Sequence, residues 1–144
     1  MDLADHAGIQ GDVPVGALVL GPDGRVLGEG WNERQVAADP TGHAEIVALR
    51  QAGRALGTWN LSGCTLVVTL DPCTMCAGAA VNSRISTLVF GAWEPKTGAC
   101  GSMRDVVRDP RLGAPIEVVA GVLAEQVEVQ LRTFFEKNVR ERTE

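Results

Sequence analysis

From residue 64 to residue 91 the chain passes from strand to helix to strand with short connections, and this alternation limits the fold more than any other feature. Cys64-Thr65-Leu66-Val67-Val68-Thr69-Leu70 is an apolar run rich in β-branched residues, so it reads as a buried strand. Pro72 follows it, and small and apolar residues from about Cys73 to Arg84 then read as a helix. Thr87-Leu88-Val89-Phe90-Gly91 reads as the next strand. Upstream, apolar residues 15–20 and a return strand from Arg25 to Gly30 flank Gly21-Pro22-Asp23-Gly24, a strong turn sequence, and predict a hairpin. A helix is expected from about His43 to Leu56, with Thr41 as its N-cap, which would place His43 in the first turn. A short helix is expected near Met103 to Val107 and a fifth strand at 116–120. Leu123, Val127, Leu131, Phe134 and Phe135 mark one face of a final amphipathic helix. Helices inserted between the later strands favour an α/β fold, a three-layer α/β/α sandwich around a central mixed five-stranded sheet.

A chain of 144 residues is long enough for one core without staples, so residues 1–144 are expected to form a single domain. No apolar run approaches the ~20 residues needed to span a bilayer. Met1-Asp2-Leu3-Ala4-Asp5 lacks the basic and apolar segments of a secretory signal. With that start, the four cysteines (Cys64, Cys73, Cys76 and Cys100) point to a reducing, cytoplasmic location. Thirteen basic against eighteen acidic residues argue against a protein that coats nucleic acid. The acid excess lies within residues 1–72, and residues 73–144 are charge-balanced, which leaves room for a local basic patch.

Two short segments carry the chemistry: His43-Ala44-Glu45 and Pro72-Cys73-Thr74-Met75-Cys76. Taken apart, a histidine at a helix start is usually a surface or capping residue, and one Cys-x-x-Cys also suits redox exchange. Together they offer an imidazole and two thiolates, a ligand set that zinc accepts, with a fourth tetrahedral position left open. Cys73 and Cys76 lie one turn apart at a helix start, so both sulfurs can face one side, where the helix dipole favours thiolates. Zinc with two thiolates and a neutral imidazole is formally neutral and acidifies water less than a centre with three histidines. A nearby general base is therefore needed, and Glu45, two residues from His43, is placed for that work.

His-x-Glu followed by Pro-Cys-x-x-Cys is the pattern of the zinc-dependent cytidine deaminase-like superfamily. Within it the chain resembles the bacterial tRNA adenosine deaminases. The resemblance runs from about residue 12 to 135. It includes Pro14-Val15-Gly16-Ala17, Gly28 to Asn32, Asp39 to Ile46, Pro72 to Ala79, Lys96-Thr97-Gly98-Ala99 and the Phe134-Phe135 pair. It implies that His43, Cys73 and Cys76 bind one zinc ion and that Glu45 is the catalytic proton shuttle. It further implies that Asn32 contacts the target nucleoside, and that Glu94 stands where the family has Asp beside the flanking nucleotides. The reaction implied is hydrolytic deamination of adenosine to inosine at the wobble position of a tRNA anticodon loop, by a homodimer. Deamination of a free base or nucleoside, such as guanine or cytidine, is the alternative within the enzyme class, and a zinc-stabilised binding module without turnover is the alternative outside it.

Four positions depart from the family pattern. Asp71 replaces the Glu that precedes Pro-Cys. Gly113-Ala114-Pro115 occupies a segment that often reads Asn-His-Arg, and Glu136 follows the Phe pair where a basic residue is expected; both changes remove expected RNA contacts. The first helix is short, with only about Met1 to Gly8 to form it. Lys96 reads first as a solvated loop lysine, with a phosphate contact as the alternative.

Overall fold

The computed structural model describes residues 1–143. Helix α1 (Asp2–Ile9) leads into strand β1 (Gly16–Leu20), and Gly21 donates its N–H to the Arg25 carbonyl at 2.8 Å to close the hairpin with β2 (Val26–Trp31). The two strands pair antiparallel, with Ala17 opposite Gly30. Helix α2 (Ala44–Leu56) precedes strand β3 (Thr65–Leu70), which returns antiparallel beside β1. Helix α3 (Thr74–Asn82) then crosses over to β4 (Thr87–Ala92), which pairs parallel with β3, with Leu66 beside Leu88 and Val68 beside Phe90. Strand β5 (Glu117–Val119) adds parallel to β4, and helix α4 (Ala124–Thr143) ends the described chain. The sheet is therefore mixed, in the order β2-β1-β3-β4-β5.

Side-chain alternation along the strands divides the molecule into its layers. Ala17, Val19, Leu66, Val68, Leu88 and Phe90 face α2 and α3, and they form one core with Ala44, Ala48, Ala52, Ala77 and Ala80. Burying a large apolar side chain such as Leu66, Leu88 or Phe90 contributes about 1.5–3 kcal/mol each. On the other face α1 crosses β1 and β2, while α4 crosses β3 and β4. The α/β/α sandwich with five strands is thus present as expected.

Gly28 and Gly30 hold α2 unusually close to β2. A β-carbon at Gly30 would run into the Ala44 carbonyl and stand 2.8 Å from the Ala48 nitrogen, and one at Gly28 would meet Ala48 and Ala52 in the same way. The first turn of α2 therefore sits at a depth set by the absence of side chains on β2.

Local expectations are corrected at two places. Thr41 does not cap α2: its N–H and hydroxyl both donate to Asp39 Oδ1 at 2.8 Å, and His43 itself takes the N-cap position with extended φ −79° and ψ 149°. Residues 103–107 are not helical, because their backbone is drawn back onto the preceding loop. Met103 and Arg104 donate to the Gly98 carbonyl, Val106 donates to the Ala99 carbonyl, and Cys100 bridges to Asp105. A short 3-10 turn at Pro110–Leu112 follows instead.

Candidate functional site

The carboxyl ends of β2, β3 and β4 all lie at one edge of the sheet, the edge where open α/β sheets place their ligands. Asn32 follows β2, Asp71-Pro72-Cys73 follows β3, and Trp93-Glu94 follows β4. The N-termini of α2 and α3 meet at the same edge.

Each of those helices begins on a candidate ligand. His43 caps α2, and Cys73 caps α3 with φ −69° and ψ 174°. Their carbonyls accept the first helical hydrogen bonds, from Val47 and Ala77, while neither side chain is used as a cap. The imidazole and the thiol are thus left to face each other. Cys76, one turn into α3, is fully buried beside them.

His43 Nδ1 stands 3.6 Å from Cys73 Sγ and 3.5 Å from Cys76 Sγ, and the three candidate donor atoms all lie within 4.8 Å of one another. Tetrahedral bonds with Zn–S of about 2.3 Å and Zn–N of about 2.0–2.1 Å place nitrogen and sulfur roughly 3.6 Å apart. The donor set and its spacing therefore both fit zinc.

The charges in this cluster depend on one another. The Cys76 thiol beside it, with His43 helping, holds Cys73 at about 4, far below the ordinary thiol range, even though burial opposes this. Cys76 is pushed up, first by its hydrogen bond to Cys73 and then by burial and the Glu45 carboxylate. The Cys73 thiolate raises His43 above the ordinary imidazole range, against the effect of burial. The arrangement carries one thiolate and one thiol, so loading a divalent ion requires the Cys76 proton to leave.

Glu45 lies in the first turn of α2 and is 4% exposed. Burial raises its carboxyl above the usual carboxylate range, while its own backbone N–H, the His43 imidazole and a hydrogen bond from Cys76 pull the other way.

The two expected substrate contacts are at the same edge but turn to the protein backbone. Asn32 is half-buried, its Nδ2 donates to the Val13 carbonyl at 3.2 Å, and its Oδ1 accepts from Arg34 N–H at 3.3 Å. Glu94 is half-buried and accepts from the Lys96 N–H at 2.9 Å. Beside Cys73 a groove of about 360 Å³ is lined by Thr74, Met75, Lys96, Thr97, Met103 and Arg104.

Two buried carboxylates that frame the site were not singled out as functional from sequence. Asp12, 1% exposed, accepts from the N–H groups of Gln35 and Val36 at 2.9 and 3.1 Å, and so anchors the loop that leads to His43. Asp71, 2% exposed, accepts from Cys100 and Ser102 N–H, each at 3.0 Å, and anchors the loop after β4. Their partners lie far along the chain, so no local pattern marks them. Cys100 is buried against Asp71, and burial pushes its thiol up, which makes it inert packing.

Comparison with known proteins agrees with this geometry. The chain is 47% identical over 142 residues to the tRNA-specific adenosine deaminase of Haemophilus influenzae, covering 99% of this chain and 82% of the relative. A solved structure from a study of A-to-I editing by tRNA deaminases at the wobble position of transfer RNA superposes with a TM-score of 0.86 at 38% identity, covering 90% of this chain and 94% of that one. A structure of guanine deaminase from Nitrosomonas europaea superposes with a TM-score of 0.77 at 27% identity, covering 92% of this chain and 79% of that one. Residues 1–92, which hold all three candidate ligands and Glu45, match the cytidine and deoxycytidylate deaminase zinc-binding region, and the chain belongs to that family of zinc-dependent deaminases.

Proposed function

We propose that this chain hydrolyses the C6 amino group of adenosine at the wobble position of a tRNA anticodon loop, leaving inosine and releasing ammonia. The observation that carries the reading is the His43–Cys73–Cys76 cluster at 3.5–3.6 Å spacing with the buried Glu45 carboxyl against it. Zinc held by these three side chains would act as a Lewis acid and make a water nucleophilic near neutral pH. Glu45 takes the proton that this water gives up and passes it to N1 of the adenine ring. The water oxygen bonds to C6, and Glu45 then moves the proton of the new C6 hydroxyl to the amino nitrogen; the C6–N bond breaks as C6–O becomes the carbonyl, so that one water is consumed and one ammonia leaves. Burial places the carboxyl against the ligand cluster and away from bulk water, and it raises the carboxyl above the usual carboxylate range.

Asn32 and Glu94 are assigned to the nucleoside and to its neighbour, at the rim of the same sheet edge. Single-stranded loops suit such a site, since their bases can be splayed out without opening a duplex. The greater likeness to the tRNA deaminases supports RNA over a free base, and the weaker likeness to guanine deaminase makes free guanine the second reading. We also infer a homodimer that works in the cytoplasm. The outer face of α2 carries an apolar groove lined by Ile46, Leu49 and Trp59, with Trp59 66% exposed, and all four cysteines are free. Sedimentation at micromolar concentration would give twice the chain mass for a dimer, and the chain mass would refute it.

The test is a substrate panel. Zinc-loaded protein is incubated with an anticodon stem-loop RNA, free adenosine, guanine and cytidine, and the products are read by mass spectrometry. Inosine in the stem-loop alone is expected. Ammonia from guanine or cytidine with an inert stem-loop would overturn the RNA reading in favour of the second one.

A further inference from the structure

The loop after β4 is tied to the thiol-bearing turn by an unbroken set of hydrogen bonds that begins at Asp71. Its two carboxylate oxygens accept from Cys100 and Ser102. The Pro72 carbonyl accepts from Ala99 at 2.7 Å, and the Ser102 hydroxyl accepts from Glu94 N–H at 2.9 Å. Glu94 then accepts from Lys96 N–H at 2.9 Å. Gly98 sits so close to the Asp71 carboxylate that a β-carbon there would collide with it, so only glycine lets the loop pack this closely. Asp71 is buried, makes no ion pair among the described residues, and is held by the N–H groups of Cys100 and Ser102.

What this arrangement presents to solvent is a pair of cations. Lys96 and Arg104 line the groove beside Cys73, both are exposed, and neither makes an ion pair among the described residues. The neighbouring arginines differ: Arg108 is held by Asp105, and Arg111 by Asp109. Two unpaired cations at the mouth of a site, on a loop held by these hydrogen bonds, are suited to a phosphodiester.

We propose that Asp71 is a positioning residue which, through the 94–104 loop, sets Lys96 and Arg104 to grip the backbone phosphates flanking the reactive nucleotide. This rests on the RNA reading above. Asp71 itself touches neither substrate nor reacting atoms.

The probe is an anticodon stem-loop RNA, used with the full zinc-loaded chain. In Asp71→Asn one of the two N–H groups loses its carboxylate acceptor. KM for the stem-loop is expected to rise about tenfold, as for a lost charged hydrogen bond, while kcat stays within about twofold and zinc stays at one per chain. Ser102→Ala, which removes the acceptor for Glu94 N–H and leaves the carboxylate alone, should shift KM in the same direction. If Asp71→Asn does not fold, Ser102→Ala decides the matter. Arg104→Gln and Lys96→Gln should each reduce the slope of log affinity against log salt by about 0.7. A fall in kcat or loss of zinc at unchanged KM would overturn the positioning role, and unchanged salt slopes would overturn the phosphate contact. A wild-type chain that binds the stem-loop with a steep salt dependence yet forms no inosine would sink the functional reading and leave this one standing.

Discussion

Replacing Gly30 with alanine tests how the site is placed, because Gly30 has no side chain and lies on the strand beneath α2. The added β-carbon would overlap the Ala44 carbonyl and stand 2.8 Å from Ala48 N and 3.0 Å from Val47 Cβ. Ala44 is the residue between His43 and Glu45, so relief of the overlap must move both. The helix start has to lift by on the order of 1 Å, and a displacement of that size can cost about 100-fold in rate. Overpacking of this kind also destabilises by roughly 1–3 kcal/mol. Gly28→Ala is the matched control, since its β-carbon meets Ala48 and Ala52 one turn farther along α2. Both variants should melt lower, by about 3–10 °C for a domain of this size. Only Gly30→Ala should also lose about 100-fold in kcat for inosine formation, with Gly28→Ala losing less than about tenfold. The assay is single-turnover inosine formation on the stem-loop alongside a thermal melt and zinc analysis. A Gly30→Ala chain that melts lower yet retains wild-type kcat would refute the claim that close helix–strand contact sets the geometry of the site.

Other consequences concern the metal, the loops and the helices. Binding zinc requires protons to leave Cys76 and His43, both of which are raised, so affinity must fall as pH falls, by about ten- to a hundredfold per pH unit. Chelator competition at several pH values measures this, and a flat profile would contradict it. Asp12→Asn weakens the anchoring of Gln35 and Val36, should cost about 1–3 kcal/mol, and should speed tryptic cleavage after Arg34; unchanged cleavage would refute the anchoring role. Gly78 lies inside α3 with open space where a β-carbon would go, so Gly78→Ala should stabilise the chain by about 0.5–1 kcal/mol, visible as a higher melting temperature.

The readable parts of this protein were those whose signals are local. His43 and Glu45, and Cys73 and Cys76, stand out because each pair shows its chemical types and spacing within a few residues. Strands β3 and β4 stand out because they are short apolar runs rich in β-branched residues. The caps were harder: His43 and Cys73 occupy N-cap positions that local propensity would give to Ser, Thr or Asp. Extended backbone at those positions turns both side chains toward each other, and that need overrides the capping preference. Residues 103–107 were misread for a related reason, since the carbonyls of Gly98 and Ala99 capture their N–H groups and no helix forms. Asp12 and Asp71 could not be found at all from local pattern, because each is defined by N–H groups more than twenty residues away. The roles proposed for Asn32 and Glu94 rest on the family resemblance, since spacing alone does not suggest them.

The measurement that bears most directly on the mechanism is inosine formation in an anticodon stem-loop by the wild-type chain and by Glu45→Gln, each holding one zinc ion. The amide keeps the volume of the side chain and removes the proton shuttle. The expected result is inosine from the wild type and a loss of about 100-fold or more in Glu45→Gln, with zinc content unchanged. Comparable rates of inosine formation from the two zinc-loaded proteins would contradict the assignment of Glu45, and no inosine from the zinc-loaded wild type would contradict the reading of this site as a hydrolytic deaminase centre.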